Sequence, residues 1–199
     1  MSPRRVDYQR ALVVALTGAS GISLGIRLLR YGDLLRTLYS KVYALFSENA
    51  AKIAKIEENI ELVSHLASMD IDAFYSEKDI TAPLASSSNI VNTDMVIIPA
   101  SLNTVAKVAN SIQDNLIVRA ACNVLRFKQK LIIVVRETPL SPLDLRNLYR
   151  LSLAGATIMP AVLAMYIRPR SIEEVMDFVV GKVFDALGIE HYIYRRWSQ

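Results

Sequence analysis

Five short runs of apolar residues stand out along the chain. These runs cover residues 12–16, 42–46, 95–98, 131–135 and 156–163. Apolar runs without alternation are typical of strands that are buried on both faces of a sheet. We therefore predict a buried strand at each run.

The segments between these runs contain apolar residues at helical spacing. The clearest apolar face is formed by Ile172, Val175, Met176, Val179, Val180, Val183, Phe184 and Leu187. Ser171 and Glu174 predict a capping box at the start of this helix, and Gly188 predicts its end. Ser141 followed by Pro142 predicts the start of another helix. A further helix is predicted over residues 22–38.

Strands that alternate with helices are joined by right-handed crossovers, so the strands run parallel and helices cover both faces of the sheet. No linker, internal repeat or low-complexity segment interrupts this pattern. The sequence predicts an α/β fold, with residues 1–199 forming a single domain around a parallel sheet.

Composition excludes several classes of protein. With 52% hydrophobic and 21% charged residues, intrinsic disorder is excluded. The longest apolar stretch, residues 156–167, is too short to span a membrane and contains Pro160. The N-terminus lacks the pattern of a signal peptide. One cysteine and two isolated histidines predict neither a disulfide framework nor a metal site, and we expect a cytoplasmic protein.

The positive charge is local. The net charge is +4, whereas residues 119–150 alone carry +5. Such a surplus suits a site for an anionic ligand. Nucleic acid is not expected as a partner, because the chain has neither basic runs nor interleaved aromatic residues.

Four polar loops follow predicted strands, at residues 17–21, 47–49, 99–104 and 136–139. In an open parallel sheet, the ligand crevice lies beyond the carboxyl ends of the strands. We therefore expect these loops to converge on one binding crevice.

The first of these loops, Thr-Gly-Ala-Ser-Gly, combines small residues with a helix N-terminus, whose free N–H groups favour anions. It is neither a dinucleotide-binding glycine motif nor a Walker loop. A tight turn with a serine cap is the alternative interpretation. For Ser101 and Thr104, helix capping and ligand binding are both open.

A charged pair, Arg136 and Glu137, follows the fourth apolar run directly. This position predicts a place in the crevice, with a structural ion pair as the alternative. The remaining titratable residues have a simpler interpretation. An exposed helical face is predicted for Glu57, Glu58 and Glu61, core packing for Cys122, and no functional role for His65 and His191.

Taken in order, these stretches resemble the flavin prenyltransferase (UbiX-like) family, within the flavin-containing cysteine decarboxylase-like flavoproteins. The matching stretches are LTGASG (16–21), LFSENA (45–50), PASLNT (99–104), DNLIVRAA (114–121), VVRETPLS (134–141), MYIRP (165–169), FVVGKVFDALGI (178–189) and RRW (195–197). The resemblance extends from about residue 12 to residue 197.

This resemblance implies a flavodoxin-like (Rossmann-like) domain that joins a dimethylallyl group to N5 and C6 of reduced FMN. Dimethylallyl phosphate would be the donor, no metal would be required, and the prenylated FMN would pass to a partner UbiD-type decarboxylase. The resemblance also implies a high-order homo-oligomer, a dodecamer, with sites at subunit contacts.

The resemblance also implies roles for single residues. Contacts to FMN are implied for Gly18, Ala19, Ser20, Ser47, Ser101, Leu102, Asn103, Thr104 and Arg136. Catalytic positions are implied for Glu137, Glu57, Ser20, Arg119 and Arg126. Tyr166 and Lys182 match contacts to the prenyl phosphate, and Trp197 matches a C-terminal aromatic residue of the substrate site.

Two positions depart from the family pattern. Ile80 stands where relatives often have tryptophan, and Ser87 replaces a glycine. Two other functions stay open: a flavin-dependent cysteine decarboxylase and a non-catalytic FMN-binding module. The decarboxylases use a histidine before the third apolar run, whereas residues 66–190 contain none.

Overall fold

The computed structural model describes residues 10–197, which are organised around one six-stranded, all-parallel sheet. The strands are β1 (Ala11–Leu16), β2 (Lys41–Phe46), β3 (Ala73–Ser76), β4 (Thr93–Ala100), β5 (Leu131–Val135) and β6 (Thr157–Pro160). Their order in the sheet is β3-β2-β1-β4-β5-β6. The predicted α/β fold with a parallel sheet is confirmed.

Eight helices connect and cover the strands. They are α1 (Ile22–Arg30), α2 (Gly32–Arg36), α3 (Glu48–Glu58), α4 (Leu62–Ala67), α5 (Leu102–Ala109), α6 (Leu116–Arg126), α7 (Pro142–Leu153) and α8 (Ile172–Leu187). Three single turns of 3₁₀ helix lie at Pro83–Ala85, Ser87–Asn89 and Met165–Ile167. Within residues 10–197, no helix has the length and hydropathy that crossing a bilayer requires.

The helices form two layers. α1, α3, α4 and α8 pack on one face of the sheet, where alternate residues of β1 such as Leu12 and Val14 point. α5, α6 and α7 pack on the other face, together with Val13 and Ala15 of β1. The chain changes direction across the sheet between the neighbouring strands β1 and β4, so the crevice of this topology lies at their carboxyl ends.

The predicted helix caps are largely confirmed. Ser141 forms a complete capping box with Asp144, and Gly188 ends α8 in the left-handed region at φ 86°. Ser171 also caps α8, because its hydroxyl accepts from the N–H of Glu174. The second hydrogen bond of the capping box predicted for Ser171 and Glu174 is wrong. The Glu174 carboxylate accepts from the N–H of Arg170, at 2.8 Å, and not from that of Ser171.

Some predicted bounds are wrong. The helix expected over residues 22–38 is interrupted at Tyr31, whose ψ of 41° is not helical. The strand expected over 156–163 ends at Pro160, although Ala161 still donates to the carbonyl of Val135. β4 begins earlier than expected, because the buried carboxylate of Asp94 accepts from Arg10, Tyr39 and the N–H of Lys130.

β3 was not predicted, and Asp72, the residue directly before it, helps to hold this edge of the sheet. The Asp72 carboxylate accepts hydrogen bonds from Arg36, Lys41 and the N–H of Val42 at 2.7–2.8 Å. Burial alone would raise the pKa of Asp72, but these hydrogen bonds outweigh it and lower the pKa to about 2. The charged form is therefore favoured in the folded protein.

Candidate active site

The loops after β1 and β4 are joined by the side chain of Thr17, which is fully buried. Its hydroxyl donates to the carbonyl of Pro99 at 2.8 Å and accepts from the N–H of Ser101 at 2.8 Å. A single side chain therefore fixes the two loops at the point where the sheet topology predicts a crevice.

Gly18 lies against the N-terminus of α3. A Cβ at this position would lie 2.6 Å from Cβ of Asn49, so any side chain there would force the two segments apart. The loops after β1 and β2 are thus in contact. The backbone at Gly18 also carries no side chain that would keep a ligand away.

The serine hydroxyls of this edge act as helix caps. Ser47 is buried and accepts from the N–H of Ala50 at 3.0 Å, while Ser101 accepts from the N–H of Thr104 at 3.3 Å. The hydroxyls of Ser101 and Thr104 also lie 3.0 Å apart. Capping does not exhaust a hydroxyl, because its hydrogen remains available to a ligand. Leu102 and Asn103 occupy the first turn of α5 beside them.

The N-terminus of α1 differs from the prediction. Its N-cap is Gly21, without a side-chain cap, so the serine-cap interpretation of this loop is wrong. The Glu57 carboxylate accepts from the N–H of Gly21 at 2.9 Å, and Glu58 accepts from the N–H of Ser23 at 3.0 Å. Two of the N–H groups expected to be free for an anion are therefore bonded. Both glutamates are exposed, as predicted, and Glu57 lies beside the loop that carries Ser20.

Arg136 and Glu137 lie at the end of β5. The N–H of Arg136 points to the carbonyl of Ala100 at 3.5 Å, which places the residue beside the loop after β4. Glu137 is exposed, and its carboxylate accepts from the N–H of Thr138 at 3.0 Å. Among residues 10–197, neither side chain takes part in an ion pair, so the structural ion pair considered above is wrong.

The Nε atom of Arg136 is buried and has no hydrogen-bond partner within the described part of the chain. A buried donor without a partner is unfavourable by about 1–3 kcal/mol. A negatively charged ligand in the crevice would relieve that cost.

Arg119 and Arg126 lie outside this crevice. Both are on α6, which begins beside Glu77 after β3 and runs toward Val91 before β4, antiparallel to the strands. Nε of Arg119 donates to the carbonyl of Ala85 at 2.8 Å, and Arg126 donates to Asn123. The two arginines line a separate cavity of about 490 Å³, which Ile80 and Ser87 also line. Within one chain, their convergence with Glu137 is not observed.

Two of the residues assigned to the prenyl donor, Tyr166 and Trp197, belong to a C-terminal aromatic cluster, which we define as Tyr166, Phe178, Tyr194 and Trp197. The ring centroids of Tyr166 lie 5.3 Å from Trp197 and 6.0 Å from Phe178, and Phe178 lies 5.2 Å from Tyr194. Lys182 joins this cluster, because its Nζ lies 3.4 Å from the Tyr194 hydroxyl. Lys182 also pairs with Asp185 at 2.9 Å and contacts no residue of the crevice by hydrogen bond.

The basic surplus of residues 119–150 does not form one patch. Lys130 caps the end of α8 by donating to the carbonyls of Ala186 and Leu187, and Arg150 donates to Asn110. The interpretation of this surplus as one anion site is therefore wrong. Only Arg136, of these cations, lies at the crevice.

Sequence reasoning missed Thr17 and Asp185. The threonine had a sequence signal, since it opens a polar loop after a buried strand. Asp185 had none, because its partners His191, Tyr194 and Arg196 lie in an irregular segment that no periodicity describes. His191, for which no role was predicted, is buried and hydrogen-bonded to Asp185 at 3.1 Å.

Known proteins resemble this chain over almost all of its length. The Flavoprotein family model matches residues 1–184. A flavin prenyltransferase UbiX of Saccharolobus solfataricus is 38% identical over 195 residues, which cover 98% of this chain and 95% of that protein.

Two solved structures are also similar. A crystal structure of AnUbiX (PadA1) in complex with FMN and dimethylallyl pyrophosphate has a TM-score of 0.87 at 35% identity, and the match covers 96% of this chain and 98% of that one. A dodecameric FMN-dependent UbiX-like decarboxylase from Escherichia coli O157:H7 has a TM-score of 0.86 at 33% identity, covering 95% of this chain and 100% of the other. The chain therefore belongs to the flavoprotein family and, within it, to the flavin prenyltransferases of the UbiX type.

Proposed function

We propose that this protein transfers the dimethylallyl group of a dimethylallyl phosphate to reduced FMN. The observation that carries this proposal is the buried, unpartnered Nε of Arg136 at the junction of β1, β4 and β5. An unpaired cationic donor at that place calls for an anionic ligand, and the resemblance to flavin prenyltransferases identifies FMN as that ligand.

The residues of the crevice fit FMN. Phosphate and ring carbonyl oxygens accept hydrogen bonds, and the crevice offers donors in the Arg136 guanidinium and the Ser47 and Ser101 hydroxyls. The close packing of Gly18 on Asn49 brings the loops after β1 and β2 together at this edge. The chemistry that reduced FMN supplies when bound is an electron-rich ring that accepts the prenyl group.

The residues of this chain have two tasks in such a transfer. The first is to stabilise the charge that develops on the phosphate as it leaves the allylic carbon, which cations and hydroxyls aimed at its oxygens accomplish. Lys182 with Tyr166, and Arg119 with Arg126, are the candidates. Because both pairs lie away from the crevice of their own chain, we propose that neighbouring copies bring them to it.

The second task is to remove a proton from the acceptor during ring closure. Glu137 is suited to this role, because its carboxylate is exposed at the crevice and, among residues 10–197, accepts only from the N–H of Thr138. The released phosphate is the alternative base. Glu57, beside Ser20, is a second acidic group at the same edge.

Exposed apolar side chains support assembly into a homo-oligomer. They lie on α7 and in the segment after β6, and comprise Leu143, Leu145, Tyr149, Leu153, Val162, Leu163 and Met165. Apolar surface of this kind is typical of subunit contacts. We propose a dodecamer, after the UbiX-like structure that is described as dodecameric. The UbiD-type decarboxylase that would receive the product and the cytoplasmic location stay predictions.

The proposal is tested by prenyl transfer measured against donor concentration for wild type and Lys182→Met. Methionine keeps much of the stem and removes a charge-assisted contact of about 1.5–3 kcal/mol, so the donor KM should rise about ten-fold or more while FMN binding survives. Lys107→Met is the matched control. Lys107 pairs with Asp114 near the C-terminal end of α5, whereas Ser101 caps the N-terminal end of that helix. Unchanged KM in Lys182→Met would place the donor phosphate elsewhere, against Arg119 and Arg126. Absence of transfer in wild type would refute the proposed function.

A further inference from the structure

The carboxylate of Asp185 accepts four hydrogen bonds from four different residues. Its Oδ2 accepts from Tyr194 at 2.6 Å and from Lys182 at 2.9 Å. Its Oδ1 accepts from Arg196 at 2.8 Å and lies 3.1 Å from Nε2 of His191. Lys182 is on α8, like Asp185, whereas the other three partners belong to residues 189–197, which we call the C-terminal segment. This segment contains no helix or strand.

The same contacts favour the ionised form of the Asp185 carboxyl group. Burial alone would raise its pKa, but hydrogen bonds from Tyr194, Arg196 and Lys182 outweigh burial and hold the pKa well below its usual range. A charged acceptor makes each of these hydrogen bonds stronger than a neutral one would.

The C-terminal segment also fits closely against the backbone of α8. A Cβ at Gly181 would lie 2.6 Å from Cε1 of Tyr194 and 2.9 Å from Cε1 of His191. The ring of Tyr194 therefore rests directly on the helix, with Lys182 at 5.8 Å and Arg196 at 5.4 Å from its centroid. This close fit fixes how the C-terminal segment packs on α8, and Asp185 holds the polar groups of that segment.

The docked segment connects to each residue assigned to the prenyl donor. Tyr194 packs on Phe178, which packs on Tyr166, and Tyr166 packs on Trp197. Lys182 is bonded to both Asp185 and the Tyr194 hydroxyl. Release of the segment from α8 would therefore displace Trp197, remove one neighbour of Tyr166 and take the Tyr194 hydroxyl away from Lys182.

We propose that Asp185 is a positioning residue of the prenyl donor site, which holds the C-terminal segment on α8 and so places Trp197 and Lys182. This inference rests on the proposed function for the identity of the donor. Asp185 acts through the residues that it holds, so its loss should affect donor binding more than the chemical step.

The test uses Asp185→Asn, which keeps the shape of the side chain and removes its charge. Trp197 is the single tryptophan of the chain, so its fluorescence anisotropy reports the docking of the segment directly. We expect lower anisotropy in the FMN-free variant, unchanged FMN affinity, and a KM for dimethylallyl monophosphate raised about ten-fold, with kcat changed much less. Glu190→Gln is the matched control, because Glu190 is an exposed acid of the same segment that bonds only Tyr192 within the described part of the chain. Glu190→Gln should change neither the anisotropy of Trp197 nor the KM for dimethylallyl monophosphate.

Either readout left unchanged in Asp185→Asn overturns the inference, since docking and donor KM must change together. Equal effects in Glu190→Gln would also overturn it. If Asp185→Asn does not fold, Tyr194→Phe removes only the hydroxyl that bonds Oδ2 and should change both readouts in the same direction by a smaller factor. Absence of prenyl transfer in wild type refutes the proposed function instead, and Trp197 anisotropy then still decides whether Asp185 docks the segment.

Discussion

Replacing Arg136 by methionine should weaken FMN binding without weakening the fold. Among residues 10–197, the buried Nε of Arg136 has no hydrogen-bond partner, which costs about 1–3 kcal/mol. Methionine keeps an apolar stem for packing and removes that donor. The unfolding free energy of the FMN-free variant should therefore stay equal or rise by up to about 1–3 kcal/mol.

The effect on binding should have the opposite sign. A hydrogen bond to a charged group contributes about 1.5–3 kcal/mol, which corresponds to an FMN dissociation constant raised about 10- to 100-fold. Fluorescence titration measures the affinity, and urea unfolding measures the stability. Arg136→Lys, which keeps the charge but lacks the planar guanidinium donors, should bind with intermediate affinity. Unchanged FMN affinity in Arg136→Met, or a fold destabilised by more than about 1 kcal/mol, would show that Arg136 is structural.

Three further changes test other parts of the structure. Gly25→Ala should destabilise the protein by about 1–3 kcal/mol in urea unfolding, because a Cβ there meets the carbonyl oxygen of Ile98, whereas Gly32→Ala, with its nearest atom at 3.7 Å, should be neutral. Asp72→Asn should lower stability by about 1–2 kcal/mol near neutral pH. Because the folded pKa of Asp72 is about 2 and lies below its unfolded value, this difference should shrink as the pH falls from about 4 toward 2; a constant difference would contradict the assigned contacts. Glu137→Gln should retain FMN affinity and lose prenyl transfer by about 10²-fold, and wild-type turnover would exclude Glu137 as the base.

The strands formed by uninterrupted apolar runs could be predicted from the sequence, because burial on both faces of the sheet leaves a clear signal. β3 could not, since Ala73–Ser76 is a short edge strand whose four residues are all half-buried. β4 was predicted too short for a different reason. The second residue of β4 is Asp94, whose charge is stabilised by partners that are distant in the sequence. No local sequence pattern indicates such partners.

The predicted convergence of the loops is confirmed, because the sheet topology alone decides where they lie. Parallel strands end at one edge, so the loops that contain Gly18, Ser47, Ser101 and Arg136 had to meet there. The orientation of side chains at this edge was harder to predict. The carboxylate of Glu57 turned out to bond the N-terminus of α1, a contact between two helices that depends on their packing rather than on either sequence segment.

Residues on helices that run back across the sheet were the least predictable. Arg126 and Lys182 lie in the second halves of α6 and α8, so each lies away from the carboxyl edge of the sheet in its own chain. A family resemblance assigns such residues to a site without saying which copy of the chain supplies them. Periodicity shows the buried face of α8, but the partners of Asp185 in the C-terminal segment depend on tertiary contacts alone.

The central claim is that this protein joins a dimethylallyl group to FMN, and the mass of the flavin after reaction tests it most directly. Pure protein is incubated anaerobically with reduced FMN and either dimethylallyl monophosphate or diphosphate, and the flavin is then analysed by mass spectrometry. We predict a flavin heavier by one dimethylallyl unit with at least one donor, and a lower yield of it when Arg136→Met is used at an FMN concentration too low to saturate that variant. Recovery of unmodified FMN from wild type with both donors would contradict the account.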